Sequence, residues 1–209
     1  MSATRKLRLL CFGDSLTEGW HKNGFKFHPY TIRLGELFKQ IKREVEIVNR
    51  GISGEVVYPE MVTRLPAILE KEDKYDFAII LGGTNDMADL DNAQEVDLFK
   101  NVKRLHEIAH EKNIKTCAIT IPQCSFDMLP QSGRYVKYRE EVNKKLREFA
   151  SVNSKLVCLC DLSRKLPMFG ISDSDLMKYW DDDLHFTPQG YDKMAELIFE
   201  VIKDFIDLN

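Results

Sequence analysis

The chain has 209 residues and a mass of 24.3 kDa, with 44% hydrophobic and 30% charged residues. This composition is typical of a globular protein with a full core and excludes a disordered or membrane-embedded chain. The formal net charge of −3 and the isoelectric point near 6.0 exclude the basic electrostatic footprint of a nucleic-acid-binding protein.

Five apolar runs alternate with helical patterns along the chain. The predicted strands are Leu7–Phe12, Val45–Asn49, Phe77–Gly82, Thr116–Ile121 and Leu156–Cys160. Apolar residues recur at helical spacing over 30–41, 61–69, 99–109, 142–149 and 194–205. This alternation predicts an α/β fold of three layers, a flavodoxin-like five-stranded parallel sheet with helices on both faces. We expect a single domain over residues 1–209.

No apolar run approaches the length needed to cross a bilayer, and the N-terminal apolar run is too short for a signal peptide. The five cysteines lie in or beside strand-like runs. An odd number in such positions predicts buried, reduced thiols instead of a disulfide framework. The sequence therefore predicts a cytoplasmic protein without a stable membrane anchor, and it leaves the oligomeric state open.

The first predicted strand ends in a turn that contains Gly13, Asp14 and Ser15. Because ligands of α/β sheets bind at the carboxyl ends of the strands, a serine here can present its hydroxyl to a cleft. An ordinary turn with Ser15 as the cap of the next helix explains the same residue types. Taken alone, this stretch does not decide between nucleophile and cap.

Three further segments carry polar groups suited to catalysis. The second loop offers the backbone N–H of Gly54, and the third offers the amide of Asn85, a donor that can stabilise an oxyanion. Thr187-Pro188 predicts the start of the last helix, which puts His185 on the loop before it. Asp182 lies three residues upstream of His185, where a short turn brings a carboxylate onto the imidazole.

Each of these segments also has an ordinary explanation as a glycine turn or an acidic capping turn. A metal site built from the run of aspartates and His185 is disfavoured, because consecutive carboxylates rarely converge on one ion. Two long connections, 123–134 and 163–180, carry apolar residues and are candidates for pocket walls or a lid. Satellite clusters packed beneath the loops explain them equally well.

Four blocks together resemble the SGNH hydrolases, also called the GDSL esterase/lipase family, over nearly the whole chain. The blocks are Gly13-Asp14-Ser15-Leu16-Thr17-Glu18-Gly19, Asn49-Arg50-Gly51-Ile52-Ser53-Gly54, Gly83-Thr84-Asn85-Asp86 and Asp182-Asp183-Leu184-His185. The resemblance implies a triad of Ser15, His185 and Asp182. It also implies an oxyanion hole formed by the N–H groups of Ser15 and Gly54 and by the Asn85 amide. No metal and no organic cofactor is implied.

The resemblance implies a serine esterase that hydrolyses small-molecule carboxylic esters through an acyl-enzyme, with short acyl groups such as acetyl preferred. A lysophospholipase, a thioesterase or an acyltransferase uses the same triad, so these activities stay open. A non-catalytic, flavodoxin-like binding module is the alternative from another class. In such a module, nothing requires Asp182 and His185 to face Ser15.

Overall fold

The computed structural model describes residues 6–87, 97–128 and 133–206. Its main sheet contains five parallel strands, β1 (Leu7–Gly13), β4 (Val45–Gly51), β5 (Phe77–Ile80), β6 (Lys115–Ile119) and β7 (Val157–Cys160). Two short strands, β2 (Trp20–His21) and β3 (Lys26–Phe27), form a separate antiparallel hairpin. All five predicted strands are present, with ends that differ from the prediction by one or two residues.

The described helices fall between and after these strands. They are α1 (Ser15–Glu18), α2 (Tyr30–Gln40), α3 (Val62–Lys71), α4 (Thr84–Met87), α5 (Leu98–Glu111), α6 (Gly133–Val152), α7 (Leu162–Lys165), α8 (Asp173–Tyr179) and α9 (Pro188–Ile202). A π-helical turn over Val57–Met61 precedes α3, and a 3₁₀ turn over Ser125–Met128 follows β6. The five predicted helical patterns lie on α2, α3, α5, α6 and α9.

Two apolar cores lie on opposite faces of the sheet because successive strand residues point to opposite sides. In β1, Leu9 and Cys11 pack into the core formed with α2 and α9, whereas Leu10 and Phe12 pack into the core with α3, α5 and α6. Each fully buried leucine or phenylalanine side chain contributes about 1.5–3 kcal/mol. The three-layer α/β fold is thus confirmed, while the single-domain boundary at 1–209 stays a prediction.

The strand order β4-β1-β5-β6-β7 places β1 between β4 and β5. In the parallel register, Gly13 of β1 pairs with Gly51 of β4, and Phe12 pairs with Ile80 of β5. The loops that follow these three strands therefore leave the sheet at the same level. The order in which strands are added switches sides at β1, because β4 lies on one side of it and β5, the next main-sheet strand in the chain, on the other. The crevice at such a switch point is where α/β sheets bind ligands.

Within the described ranges, no helix combines the length and the apolar character needed to span a bilayer.

Candidate active site

Ser15 lies in the first turn of α1, directly after β1. Asp14 caps this helix, since its Oδ1 accepts a hydrogen bond from the Leu16 N–H at 3.0 Å. Gly19 ends the helix with a φ of 87°, a left-handed conformation that glycine adopts without strain. The explanation of Ser15 as the helix cap is wrong, because Asp14 holds that position. The Ser15 hydroxyl instead lies 3.0 Å from Nε2 of His185.

His185 connects Ser15 to Asp182. Its Nε2 faces Ser15 Oγ at 3.0 Å, and its Nδ1 lies 2.9 Å from Oδ2 and 3.1 Å from Oδ1 of Asp182. Thr187 fixes the end of this loop, because its hydroxyl caps α9 by accepting from the Gly190 N–H at 3.1 Å. A hydroxyl, an imidazole and a carboxylate in this order can move a proton from oxygen to nitrogen and stabilise the resulting imidazolium.

Asp182 is the carboxylate of the aspartate run that contacts His185. Burial raises the pKa of Asp182, but hydrogen bonds from the His185 ring, the His185 N–H and the Leu184 N–H outweigh it and hold the pKa at about 2. The carboxylate is therefore ionised at neutral pH. Asp181 serves a different contact, because its Oδ2 accepts from the Lys22 N–H at 2.6 Å.

Trp20 packs against the ring of His185 with a centroid distance of 4.0 Å and an interplanar angle of 43°. The Trp20 carbonyl accepts from the hydroxyl of Tyr191 at 2.7 Å, which ties the Trp20 backbone to α9. Trp20 thus limits the orientations that the imidazole can adopt. Its contact with His185 joins residues 165 positions apart, and an isolated tryptophan in the sequence gives no sign of it.

Gly54 lies on the loop that follows β4, and Asn85 lies in α4, the short helix that follows β5. The Asn85 amide donates to the Glu55 carbonyl at 2.9 Å, and the Asp86 carboxylate accepts from the Val57 N–H at 2.9 and 3.0 Å. A primary amide has two N–H donors, so the contact with Glu55 uses one of them. These bonds join the two segments and hold the Asn85 side chain beside the residue that follows Gly54.

Two further polar side chains tie α1 to the end of β4 and to the loop that carries Gly54. Asn49 Nδ2 donates to the Thr17 carbonyl at 2.7 Å, while its Oδ1 accepts from the Gly51 N–H at 2.8 Å. The Glu18 carboxylate accepts from the Ser53 N–H at 2.9 Å. Asn49 and Glu18 lie inside the sequence blocks, but their residue types alone do not indicate these partners.

The described parts of the two long connections contact each other and the His185 loop. The Ser125 N–H donates to the Asp183 carbonyl at 2.8 Å. Gln123 Oε1 accepts from the N–H groups of Met168 and Phe169 at 2.9 and 3.2 Å. These segments thus form a wall beside the His185 loop. Residues 129–132 of the 123–134 connection lie outside the described residues, and a lid function stays a prediction.

In the part of the chain that the structure describes, no three His, Cys, Asp or Glu side chains converge as a metal site would require. The carboxylates of Asp181 and Asp182 instead take part in the separate hydrogen bonds given above.

A model of the GDSL-like lipase/acylhydrolase family matches residues 11–193. A comparison with curated protein sequences finds no match. Among solved structures, the chain is similar to a family 3 carbohydrate esterase from Clostridium thermocellum, with 18% identity and a TM-score of 0.72 over 97% of this chain and 98% of that chain. It is also similar to a lipase/acylhydrolase from Enterococcus faecalis, with 23% identity and a TM-score of 0.70 over 97% and 98%.

A third similar structure is the psychrotrophic esterase EstA from Pseudoalteromonas sp., with 19% identity and a TM-score of 0.70 over 96% of this chain and 98% of that chain. At such identities, the structural likeness shows the fold, and the family match over most of the chain shows the family. The resemblance inferred from the four sequence blocks is confirmed. The chain belongs to the GDSL-like lipase/acylhydrolase family and is a carboxylic ester hydrolase.

Proposed function

We propose that the protein is a serine esterase in which Ser15, His185 and Asp182 form the catalytic triad. One observation carries this proposal, the pair of contacts that His185 makes at 3.0 Å to Ser15 Oγ and at 2.9 Å to Asp182 Oδ2. A nucleophile bonded to a base that a third group orients is the arrangement that activates a serine. A non-catalytic binding module does not require this arrangement of side chains.

In the proposed reaction, Ser15 Oγ attacks the ester carbonyl carbon while His185 Nε2 accepts the hydroxyl proton. The oxyanion that forms accepts hydrogen bonds from the Ser15 N–H, the Gly54 N–H and the Asn85 amide. Collapse of this intermediate expels the alcohol, which takes the proton from His185, and leaves an acyl-serine. Water then attacks the acyl carbon as His185 removes its proton, and the acid departs from Ser15.

We propose small-molecule esters with short acyl groups as the substrates, following the preference that the family resemblance implies. A lysophospholipase is the second candidate, and the hairpin of β2 and β3 favours it. Trp20 of this hairpin lies on the His185 ring, while Phe25 and Phe27 expose 87% and 51% of their surface. Exposed aromatic side chains beside an active site suit contact with a lipid substrate.

The test is the rate of hydrolysis along a series of p-nitrophenyl esters from acetate to laurate. A maximum between acetate and butyrate supports the short-acyl esterase, whereas a maximum at octanoate or longer favours the lysophospholipase. Ser15→Ala serves as the matched control, because it removes only one hydroxyl from the site. Equal hydrolysis by wild type and Ser15→Ala contradicts the proposed triad.

A further inference from the structure

We propose that Arg64 is a positioning residue that fixes the geometry of the oxyanion hole. The proposal rests on the function proposed above. Arg64 belongs to α3, outside the four sequence blocks, and it acts through the loops that carry the oxyanion donors.

The Arg64 guanidinium contacts three chain segments at once. Nη1 donates to the Arg50 carbonyl at 3.0 Å, and Nη2 donates to the Gly13 carbonyl at 3.4 Å. Nε donates to Glu55 Oε1 at 2.6 Å, and Nη2 makes a second bond to Glu55 Oε2. The guanidinium carbon also lies 4.1 Å from the centroid of the Phe12 ring. The ring therefore packs against one face of the guanidinium group.

Each contact lies close in the chain to a proposed oxyanion donor. Gly13 is two residues before Ser15, and Glu55 directly follows Gly54. The Glu55 carbonyl accepts the hydrogen bond of the Asn85 amide at 2.9 Å. Glu55 is therefore held by its side chain to Arg64 and by its backbone to Asn85, so a shift of Glu55 moves two of the three donors.

Only arginine can make this set of contacts. Glu55 exposes 6% and Arg64 19% of its side chain, so water screens the pair weakly. A planar guanidinium binds a carboxylate through two parallel N–H bonds and directs its remaining N–H groups elsewhere, whereas a lysine ammonium is a single point charge. Arg64→Lys therefore keeps the charge that neutralises Glu55 but loses the contacts that fix its orientation.

Oxyanion donors accelerate a reaction only when they are aimed at the oxyanion before it forms. A misplacement of about 1 Å costs on the order of 10²-fold in rate. The oxyanion exists in the transition state and not in bound substrate. Misplaced donors therefore lower kcat and leave KM nearly unchanged. A residue that served only folding would change neither parameter in the fraction of protein that remains folded.

The test compares Arg64→Lys with Arg147→Lys in hydrolysis of p-nitrophenyl acetate. Arg147 forms a similar two-bond pair with Asp161, with both bonds at 2.9 Å and 17% exposure on each side, but between α6 and the end of β7. We expect Arg64→Lys to lower kcat by about 10²-fold with KM within about threefold of wild type. Arg147→Lys, the matched control, should keep kcat within about threefold of wild type.

Chemical rescue gives a second readout. A cleft of about 700 Å³ is lined by Glu55, Thr63, Arg64 and Ala67, so truncation of Arg64 opens a path from solvent to Glu55. Added guanidinium chloride at millimolar concentration should restore part of the kcat of Arg64→Ala and leave Arg147→Ala unchanged. Should Arg64→Lys fail to fold, Glu55→Gln breaks the same pair and should show the same loss of kcat.

Wild-type kcat in Arg64→Lys, equal losses in Arg64→Lys and Arg147→Lys, or a loss confined to KM would overturn the proposal. If the wild-type enzyme hydrolyses no ester, the proposed function is wrong. The wild-type rate therefore distinguishes a failure of the proposed function from a failure of the proposal for Arg64.

Discussion

Asp14 links the stability of the nucleophile turn to pH. The residue is fully buried, its Oδ1 accepts from the Leu16 N–H, and its Oδ2 has no hydrogen-bond partner within the described residues. Burial, with smaller contributions from the nearby charges of Asp86 and Glu55, raises the pKa of Asp14 from 3.8 to about 7, although the Leu16 hydrogen bond opposes this shift.

The sign of the pH effect follows from proton binding. Between the unfolded pKa of 3.8 and the folded pKa of about 7, the folded chain keeps the Asp14 proton that the unfolded chain has lost. Because the folded state binds more protons, the free energy of unfolding falls as the pH rises through this window. The shift from 3.8 to about 7 corresponds to a loss on the order of 4 kcal/mol.

Asp14→Asn removes this titration while keeping a side-chain oxygen for the cap, a position at which asparagine and aspartate are equally favoured. We expect the variant to be more stable than wild type by on the order of 4 kcal/mol above about pH 8, and nearly equal to it at about pH 4. Urea denaturation followed by tryptophan fluorescence at a series of pH values measures this difference.

The control for Asp14→Asn is Glu148→Gln, which neutralises an exposed carboxylate on α6. It should change the free energy of unfolding by less than about 0.5 kcal/mol at any pH. A difference in the free energy of unfolding between Asp14→Asn and wild type that is constant across pH, or that grows towards acid, would contradict a raised pKa of Asp14 in the folded protein.

Three further substitutions test the site and its support. Asp182→Asn should lower kcat by about 10⁴-fold, because the imidazole loses the carboxylate that fixes its tautomer; a loss below tenfold in a p-nitrophenyl acetate assay argues against that role. Asn85→Ala should lower kcat by about 10²–10³-fold in the same assay, and an unchanged kcat removes the amide from the oxyanion hole. Thr187→Ala should lower the free energy of unfolding by about 1 kcal/mol in urea denaturation, since α9 loses its cap, and full stability contradicts that contact.

The central strands were accessible from sequence because they are buried on both faces. Leu9–Phe12 of β1 and Phe77–Ile80 of β5 read as continuous apolar runs for that reason. Their ends are less certain, since Gly13 and Gly51 continue the β1–β4 ladder although neither has an apolar side chain. The hairpin of β2 and β3 has only two residues per strand, too few for any periodic pattern.

The candidate site was accessible because Ser15, Gly54, Asn85 and His185 fall in blocks of fixed spacing. The residues that hold the site in place could not be predicted from the sequence. Arg64 lies in an amphipathic helix, where a charged residue is ordinarily solvated, and its contact with Gly13 joins residues 51 positions apart. The capping role of Asp14 depends on backbone angles at a single turn, and neighbouring serine and aspartate are both good caps. Such pairings depend on the tertiary fold and leave no local periodicity.

The triad proposal is tested most directly by intact-protein mass spectrometry after reaction with a fluorophosphonate probe, followed by peptide mapping. A serine activated by an imidazole attacks the phosphorus, displaces fluoride and keeps the phosphonyl group as a stable adduct, while its hydroxyl proton passes to the imidazole. We expect one adduct, on Ser15 of the wild-type protein, and no adduct on Ser15→Ala. Folded wild-type protein that stays unlabelled, or an adduct that persists in Ser15→Ala, would contradict the triad proposal.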